Sequence, residues 1–202
     1  MSERLYLYPV WIRLWHWTNA LLCLLLIITG VSLQYSNPQY PFIRFDIAVS
    51  MHNISGIILT ISYLGFIIGN IITPNGKYYK TKLNGLFDSL KKQFIYYTIG
   101  IFKHAEKPYP ITLERKFNPL QKVSYLVAMY LFMPLIFITG WGLLFPETNL
   151  TNVFGISGLQ LTSLLHVTIG FFISVFMIVH IYFCTIGKTA WSNFQSMIDG
   201  WH

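Results

Sequence analysis

Four long stretches of this chain carry no formal charge. They lie between Arg13 and Arg44, Asp46 and Lys77, Lys122 and Glu147, and Glu147 and Lys188, and hold about 30, 30, 24 and 40 residues. A helix crosses a bilayer with roughly 20 mostly apolar residues, so each stretch has room for one crossing. The predicted spans are residues 11–33, 47–72, 121–144 and 161–185. Together they describe an all-α membrane protein, a bundle of four transmembrane helices forming a single domain over residues 1–202. The connection at 73–120 is too long for a plain loop. Within it Leu83, Leu86, Phe87, Leu90, Phe94, Tyr97 and Ile101 recur at helical spacing, with Asp88, Lys91 and Lys92 between them. That pattern predicts an amphipathic helix, lying on the cytoplasmic membrane surface or docking a partner.

Composition narrows the class. Of 202 residues, 54% are hydrophobic and 10% charged, against about 25% charged in an ordinary soluble domain, which excludes a soluble globular enzyme. The net charge of +7 is therefore read as topology, and no nucleic-acid partner is expected. Thirteen of the fourteen bases fall at the chain ends, in the 73–120 region or, for Lys122, at its border, and only Arg44 lies opposite. The positive-inside rule then places both termini in the cytoplasm. The first 33 residues have the arginine and apolar run of a signal peptide but no small-x-small cleavage site, so an uncleaved anchor is expected. Cys23 and Cys184 are predicted at different depths, too far apart for a bridge, and no internal repeat is apparent.

Six histidines occur. His104 and His202 are expected to be solvated, whereas His16, His52, His166 and His180 fall inside spans. An ionisable residue within a span is costly and points to function. Each lies about five residues from the nearer end of its span. With alternating span direction they form two layers, His52 with His166 near the outer face and His16 with His180 near the inner one. His166 and His180 are about four turns apart, which keeps both within ~40° of one helix face and separates the layers by ~21 Å.

Two pairs of imidazoles inside one bundle are what two bis-histidine haems require. Zinc or copper would draw three or four ligands to one point, and each layer offers two. No carboxylate lies deep in a span to complete a metal site or a proton path. Gly30, Gly56, Gly140, Gly142 and Gly170 sit where a flat macrocycle needs room, although small residues also serve close helix packing.

The segment Arg13-Leu14-Trp15-His16-Trp17-Thr18-Asn19-Ala20, the pair His166-x13-His180, and Lys116-Phe117-Asn118-Pro119-Leu120-Gln121-Lys122 resemble the bacterial four-helix di-haem cytochromes b. These are membrane subunits of formate dehydrogenase, thiosulfate reductase and nickel–iron hydrogenase complexes. The resemblance covers essentially the whole chain. It implies two haem b groups in the bacterial cytoplasmic membrane. The outer one would exchange electrons with a periplasmic-side iron–sulfur or multi-haem subunit, the inner one with menaquinone or ubiquinone. By matching position, the quinone pocket would use Asn118, with Gln121 and Lys122 beside it. Asn118-Pro119 also reads as a helix start, with Asn as N-cap and Pro in the first turn. Arg13, just below His16, and Arg44, just outside the His52 layer, are candidate partners for haem propionates.

Two other functions fit parts of this pattern. A stand-alone cytochrome of the same kind would oxidise a small molecule such as superoxide at the outer face and reduce quinone. Its anionic donor would meet Arg44 against Asp46 and Glu147, a poor electrostatic funnel. A redox-silent scaffold or metal transporter would bind ions through the histidines and show no haem spectrum.

Overall fold

The computed structural model describes residues 5–81, 84–187 and 189–202. Arg4, Lys82 and Lys188 of the charge pattern, and Leu83 of the amphipathic pattern, lie outside the described residues. Helix α1 runs over Val10–Tyr35 and α2 over Phe45–Ile72. A short helix α3, Leu86–Ile95, follows in the long connection. The third crossing, Pro119–Leu144, comprises α4 (Pro119–Val127) and α5 (Met133–Leu144), and α6 (Gly158–Cys184) is the fourth. A last helix, α7, covers Ser192–Asp199. The four crossings begin and end within about three residues of the spans predicted from charge and hydropathy.

The break between α4 and α5 is a π-helical turn at Ala128–Phe132, and its cause is Pro134. Proline has no amide hydrogen and its ring clashes with the carbonyl four residues back, so the chain widens by one residue. The Met133 amide reaches back five residues to Ala128. The Met129 carbonyl, which the next π-type bond would have used, instead accepts the Tyr63 hydroxyl of α2 at 2.9 Å. Within hydrocarbon a bare carbonyl costs several kcal/mol, so this bond fastens α2 to the third crossing.

Helices α1 and α2 pack as one hairpin, and α5 and α6 as another. Between them Leu22, Leu59, Tyr63 and Met133 form a small core, flanked by Cys23, Leu26, Ile136, Phe137 and Ile173. Leu22 lies between His16 and Thr29 along α1, so this apolar layer separates the two histidine layers. Large side chains such as Leu14, Ile28, Ile61, Ile138, Phe171 and Ile178 point outward and exposed. That is the expected surface where the solvent is lipid. Both cysteines are free.

The chain ends close on each other. Leu5 and His202 exchange backbone hydrogen bonds at 3.0 and 2.9 Å, and the Leu7 amide donates to the Gly200 carbonyl at 3.0 Å. Gly200 has φ +89°, and a Cβ there would lie 2.7 Å from the Tyr6 ring and 2.8 Å from the Tyr8 carbonyl, so the clasp needs glycine. The clasp seats α7 against α1, where Trp17 Nε1 donates to the Met197 carbonyl at 3.0 Å and Arg13 donates to the Ile198 carbonyl.

Helix α3 is shorter than its hydrophobic pattern suggests. It starts after Gly85 in the left-handed region (φ 70°) and runs through a π turn and a 3-10 turn to His104 (φ 52°). It buries Gln93 and leaves Phe87, Phe94 and Phe102 exposed. The three phenylalanines thus turn away from the bundle, as on a helix resting on lipid, while Tyr97 turns toward it.

Candidate functional site

The four intramembrane histidines meet in two pairs, as their depths predict. His52 of α2 faces His166 of α6 with ring centres 6.2 Å apart. His16 of α1 faces His180 of α6 at 6.1 Å.

The His52–His166 pair is held symmetrically. The Thr29 hydroxyl donates to the Leu25 carbonyl at 2.7 Å and lies 2.9 Å from His52 Nδ1. The Thr139 hydroxyl donates to the Leu135 carbonyl at 2.8 Å and lies 2.9 Å from His166 Nδ1. A hydroxyl has one hydrogen. With that hydrogen on the helix carbonyl, each threonine oxygen accepts from the imidazole. Both rings therefore carry hydrogen on Nδ1 and leave Nε2 free as a ligand. The glycine after each threonine makes room, since a Cβ on Gly30 would lie 3.4 Å from His52 Cε1 and one on Gly140 3.3 Å from His166 Cε1. A Cβ on Gly56 or Gly170 would meet only a leucine or isoleucine tip, at 3.9 and 4.0 Å. Gly142 instead packs against Thr162 and Asn149. The repeated elements are Ile28-Thr29-Gly30 with Ile138-Thr139-Gly140, and His52-x3-Gly56-x3-Thr60 with His166-x3-Gly170-x3-Ser174. The two hairpins thus share a local repeat that whole-chain inspection does not reveal.

The His16–His180 pair is built differently. His180 Nδ1 lies 3.5 Å from the Tyr125 hydroxyl, at the limit of a hydrogen bond, and its ring stacks on Phe176. Cys184 Sγ stands 3.7 Å from His180 Nε2, so this cysteine belongs to the site's lining and not only to generic packing. Arg13 Nε, Trp15 Nε1 and His16 Nδ1, all on α1, are buried polar atoms without a hydrogen-bond partner among the described residues.

The donor set fits haem iron. Two imidazoles on opposite sides of one metal, at roughly 2 Å per metal–nitrogen bond, have ring centres about 6–6.5 Å apart, and both pairs have that separation. Among the described residues no third histidine, cysteine or carboxylate gathers with either pair into a metal-binding group. Two trans ligands and no more suit a metal whose remaining positions come from a macrocycle.

Asn118 caps α4 in a reciprocal box. Its Oδ1 accepts from the Gln121 amide at 2.9 Å, and Gln121 Oε1 accepts from the Asn118 amide at 3.2 Å. Asn118 is buried, and its Nδ2 donates to the Tyr97 hydroxyl at 2.7 Å. Tyr97 packs on Phe183 with ring centres 4.7 Å apart, which brings Asn118 to the His180 end of α6. Burial raises the Tyr97 phenol above its ordinary pKa, an effect opposed by its hydrogen bonds to Asn118 and Gln93. Lys122 is partly exposed, in the first turn of α4. Arg44 is exposed and bound to Asp46 at 2.8 Å; Arg13 is engaged by Ile198 through one amino group.

The sequence does not mark several residues of these sites as functional. Thr29 and Thr139 escape because a lone threonine in a span is unremarkable, and Tyr97 because it sits in an apolar pattern. Lys116 is buried, with Nζ donating to Asn75 Oδ1 at 3.1 Å and lying 4.3 Å from the Tyr78 ring centre and 5.4 Å from that of Tyr8. Burial, reinforced by Lys77, pushes its ammonium down to about 8.

A family model described as prokaryotic cytochrome b561 matches residues 7–200. The chain is also 36% identical, over all 202 residues and 76% of the relative, to the putative cytochrome YdhU of Escherichia coli (strain K12). No solved structure matches it.

Proposed function

This chain belongs to the prokaryotic cytochrome b561 family, and from that premise we propose a di-haem cytochrome passing electrons between an outer-side redox partner and membrane quinone. The family makes it a multi-pass bacterial membrane protein that binds haem b and works in electron transfer. The observation that carries the finer reading is the pair of facing imidazoles at 6.1 Å and again at 6.2 Å.

When bound, a bis-histidine haem supplies one-electron transfer and leaves no iron position open for a substrate. In this reading His52 and His166 hold the outer group and His16 and His180 the inner one. Arg13, whose buried Nε lacks a partner, is the nearer candidate for a propionate; Arg44 would first have to leave Asp46. Asn118, with Gln121 and Lys122 in the same helix turn, would orient quinone beside His180. One Nδ2 hydrogen of Asn118 goes to Tyr97, which leaves the second for a quinone oxygen. Both termini and the α3 region are placed on the cytoplasmic side, supported by the thirteen-to-one division of bases. The outer partner would be an iron–sulfur or multi-haem subunit. Arg44, bound to Asp46, gives little attraction to a small anionic donor such as superoxide.

The test is a dithionite-reduced minus oxidised spectrum of the purified protein with a pyridine haemochrome count. Two low-spin haems per chain are expected. One haem, or a high-spin form that binds carbon monoxide readily, overturns the assignment. Co-purification of a soluble redox subunit tests the partner. A cysteine at Lys91 that reacts with an impermeant reagent from outside intact cells overturns the orientation.

A further inference from the structure

The two histidine pairs differ in what holds their outer nitrogens. His52 and His166 each donate Nδ1–H to a threonine oxygen at 2.9 Å, and each threonine hydrogen is used by a helix carbonyl. Among the described residues, His16 Nδ1 in the inner pair has no hydrogen-bond partner, and His180 Nδ1 has the Tyr125 hydroxyl at 3.5 Å.

A hydrogen bond accepted from Nδ1–H draws the hydrogen off the ring and makes the opposite nitrogen a stronger electron donor to its metal. A stronger donor favours the higher oxidation state of iron. We infer that Thr29 and Thr139 are positioning residues that make the outer haem the lower-potential of the two, so that electrons run inward toward quinone. The inference rests on the two-haem reading and adds the direction of flow to it. The threonine hydroxyls bias a single electron, oxidising the outer iron and reducing the inner one, with no bond made or broken. Charge acts in the same sense. Arg13 and Lys116 stand at the inner end of the bundle, where positive charge favours a reduced centre, while Arg44 is offset by Asp46 at the outer end. The bias is useful because an electron moving inward crosses about 21 Å against the usual membrane potential, negative inside.

Potentiometric titration of the full-length purified protein, followed optically and alongside a haemochrome count, tests this. The wild type should show two one-electron components. Thr29→Val and Thr139→Val should each raise only the lower one, changing its oxidised-to-reduced ratio at fixed potential by about threefold to tenfold, tenfold being 59 mV for one electron. Thr29→Ser and Thr139→Ser should restore it, and Tyr125→Phe should leave it in place. If valine excludes the haem, Thr29→Ala and Thr139→Ala read the same shift with less bulk. Movement of the upper component, movement of neither, or failure of serine to restore the value overturns the inference while leaving two haems counted. A count of one haem instead overturns the two-haem reading, and the inference with it.

Discussion

The imidazoles of His16 and His180 face each other at 6.1 Å although they come from the first and last crossings of the chain. No further histidine or carboxylate stands by to replace either among the described residues. On the proposed two-haem reading, His180→Ala leaves the His16 site with one ligand, while the His52–His166 pair, about four turns away, keeps both. The expected outcome is asymmetric. Roughly one low-spin haem per chain remains and an outer donor still reduces it, but quinone turnover stops. Haemochrome counting and quinone reduction assays check this. Loss of both haems would show that the layers are not independent, and retained quinone turnover would show that they are inverted.

Gly30 and Gly140 pack against His52 and His166. A methyl at Gly140 would stand 3.3 Å from His166 Cε1, tighter than ordinary contact, whereas a methyl at Gly65 meets nothing within 4 Å. Gly140→Ala is expected to tilt His166 off its threonine and lower outer haem content, with the inner haem retained. Gly65→Ala should change neither and gain up to about 1 kcal/mol of helix propensity. Equal haem loss in both variants would mean that the effect is general destabilisation.

The crossings and the histidine layers are legible in the sequence because each rests on a long-range signal. An uncharged run marks a span, and residue counts from its ends give a side chain's depth. What sets the ring tautomers is a single hydroxyl on a different helix, Thr29 for His52 and Thr139 for His166. Hydropathy and spacing do not separate these from Thr60, which donates to the Gly56 carbonyl of its own helix; the shared Ile-Thr-Gly triplet gains meaning only once the two hairpins are superposed in the fold. The π turn before Met133 was equally hidden. Proline in a span announces a distortion, but the partner that satisfies the freed Met129 carbonyl, Tyr63 of α2, is visible only in the fold. Lys116 reads as one of ten loop bases and is instead buried beside Asn75 and two tyrosine rings.

Lys116 should give stability a recognisable dependence on pH. Its folded-state pKa is lowered from 10.5 to about 8, chiefly by burial. Below pH 8 both folded and unfolded chains hold the proton, and this residue contributes no slope. Between about 8 and 10.5 the unfolded chain binds more protons, so the contribution of this group rises with pH. Melting temperatures of the wild type and Lys116→Gln in the same detergent should therefore diverge upward over that window in favour of the wild type. A difference that fell with pH would show that the folded state prefers the ammonium form.

Asn118 has two duties, and one substitution cannot separate them. Its oxygen caps α4 by accepting from Gln121, and its nitrogen donates to Tyr97. Asn118→Ala removes both and should cost about 1 kcal/mol from the cap alone, so weaker quinone binding in that variant would be ambiguous. Asn118→Asp keeps the capping oxygen, places a negative charge where a helix N-terminus favours one, and removes both amide hydrogens. It should melt close to the wild type and retain both haems. If the second amide hydrogen holds a quinone oxygen, the affinity for a quinone analogue should fall by about fivefold to a hundredfold, the range of a lost hydrogen bond worth ~1–3 kcal/mol. Tyr97→Phe supplies the control, since it frees the first amide hydrogen without touching the cap or the second. Unchanged analogue binding in Asn118→Asp, with loss confined to Asn118→Ala, would reduce Asn118 to a helix cap and move the quinone site elsewhere.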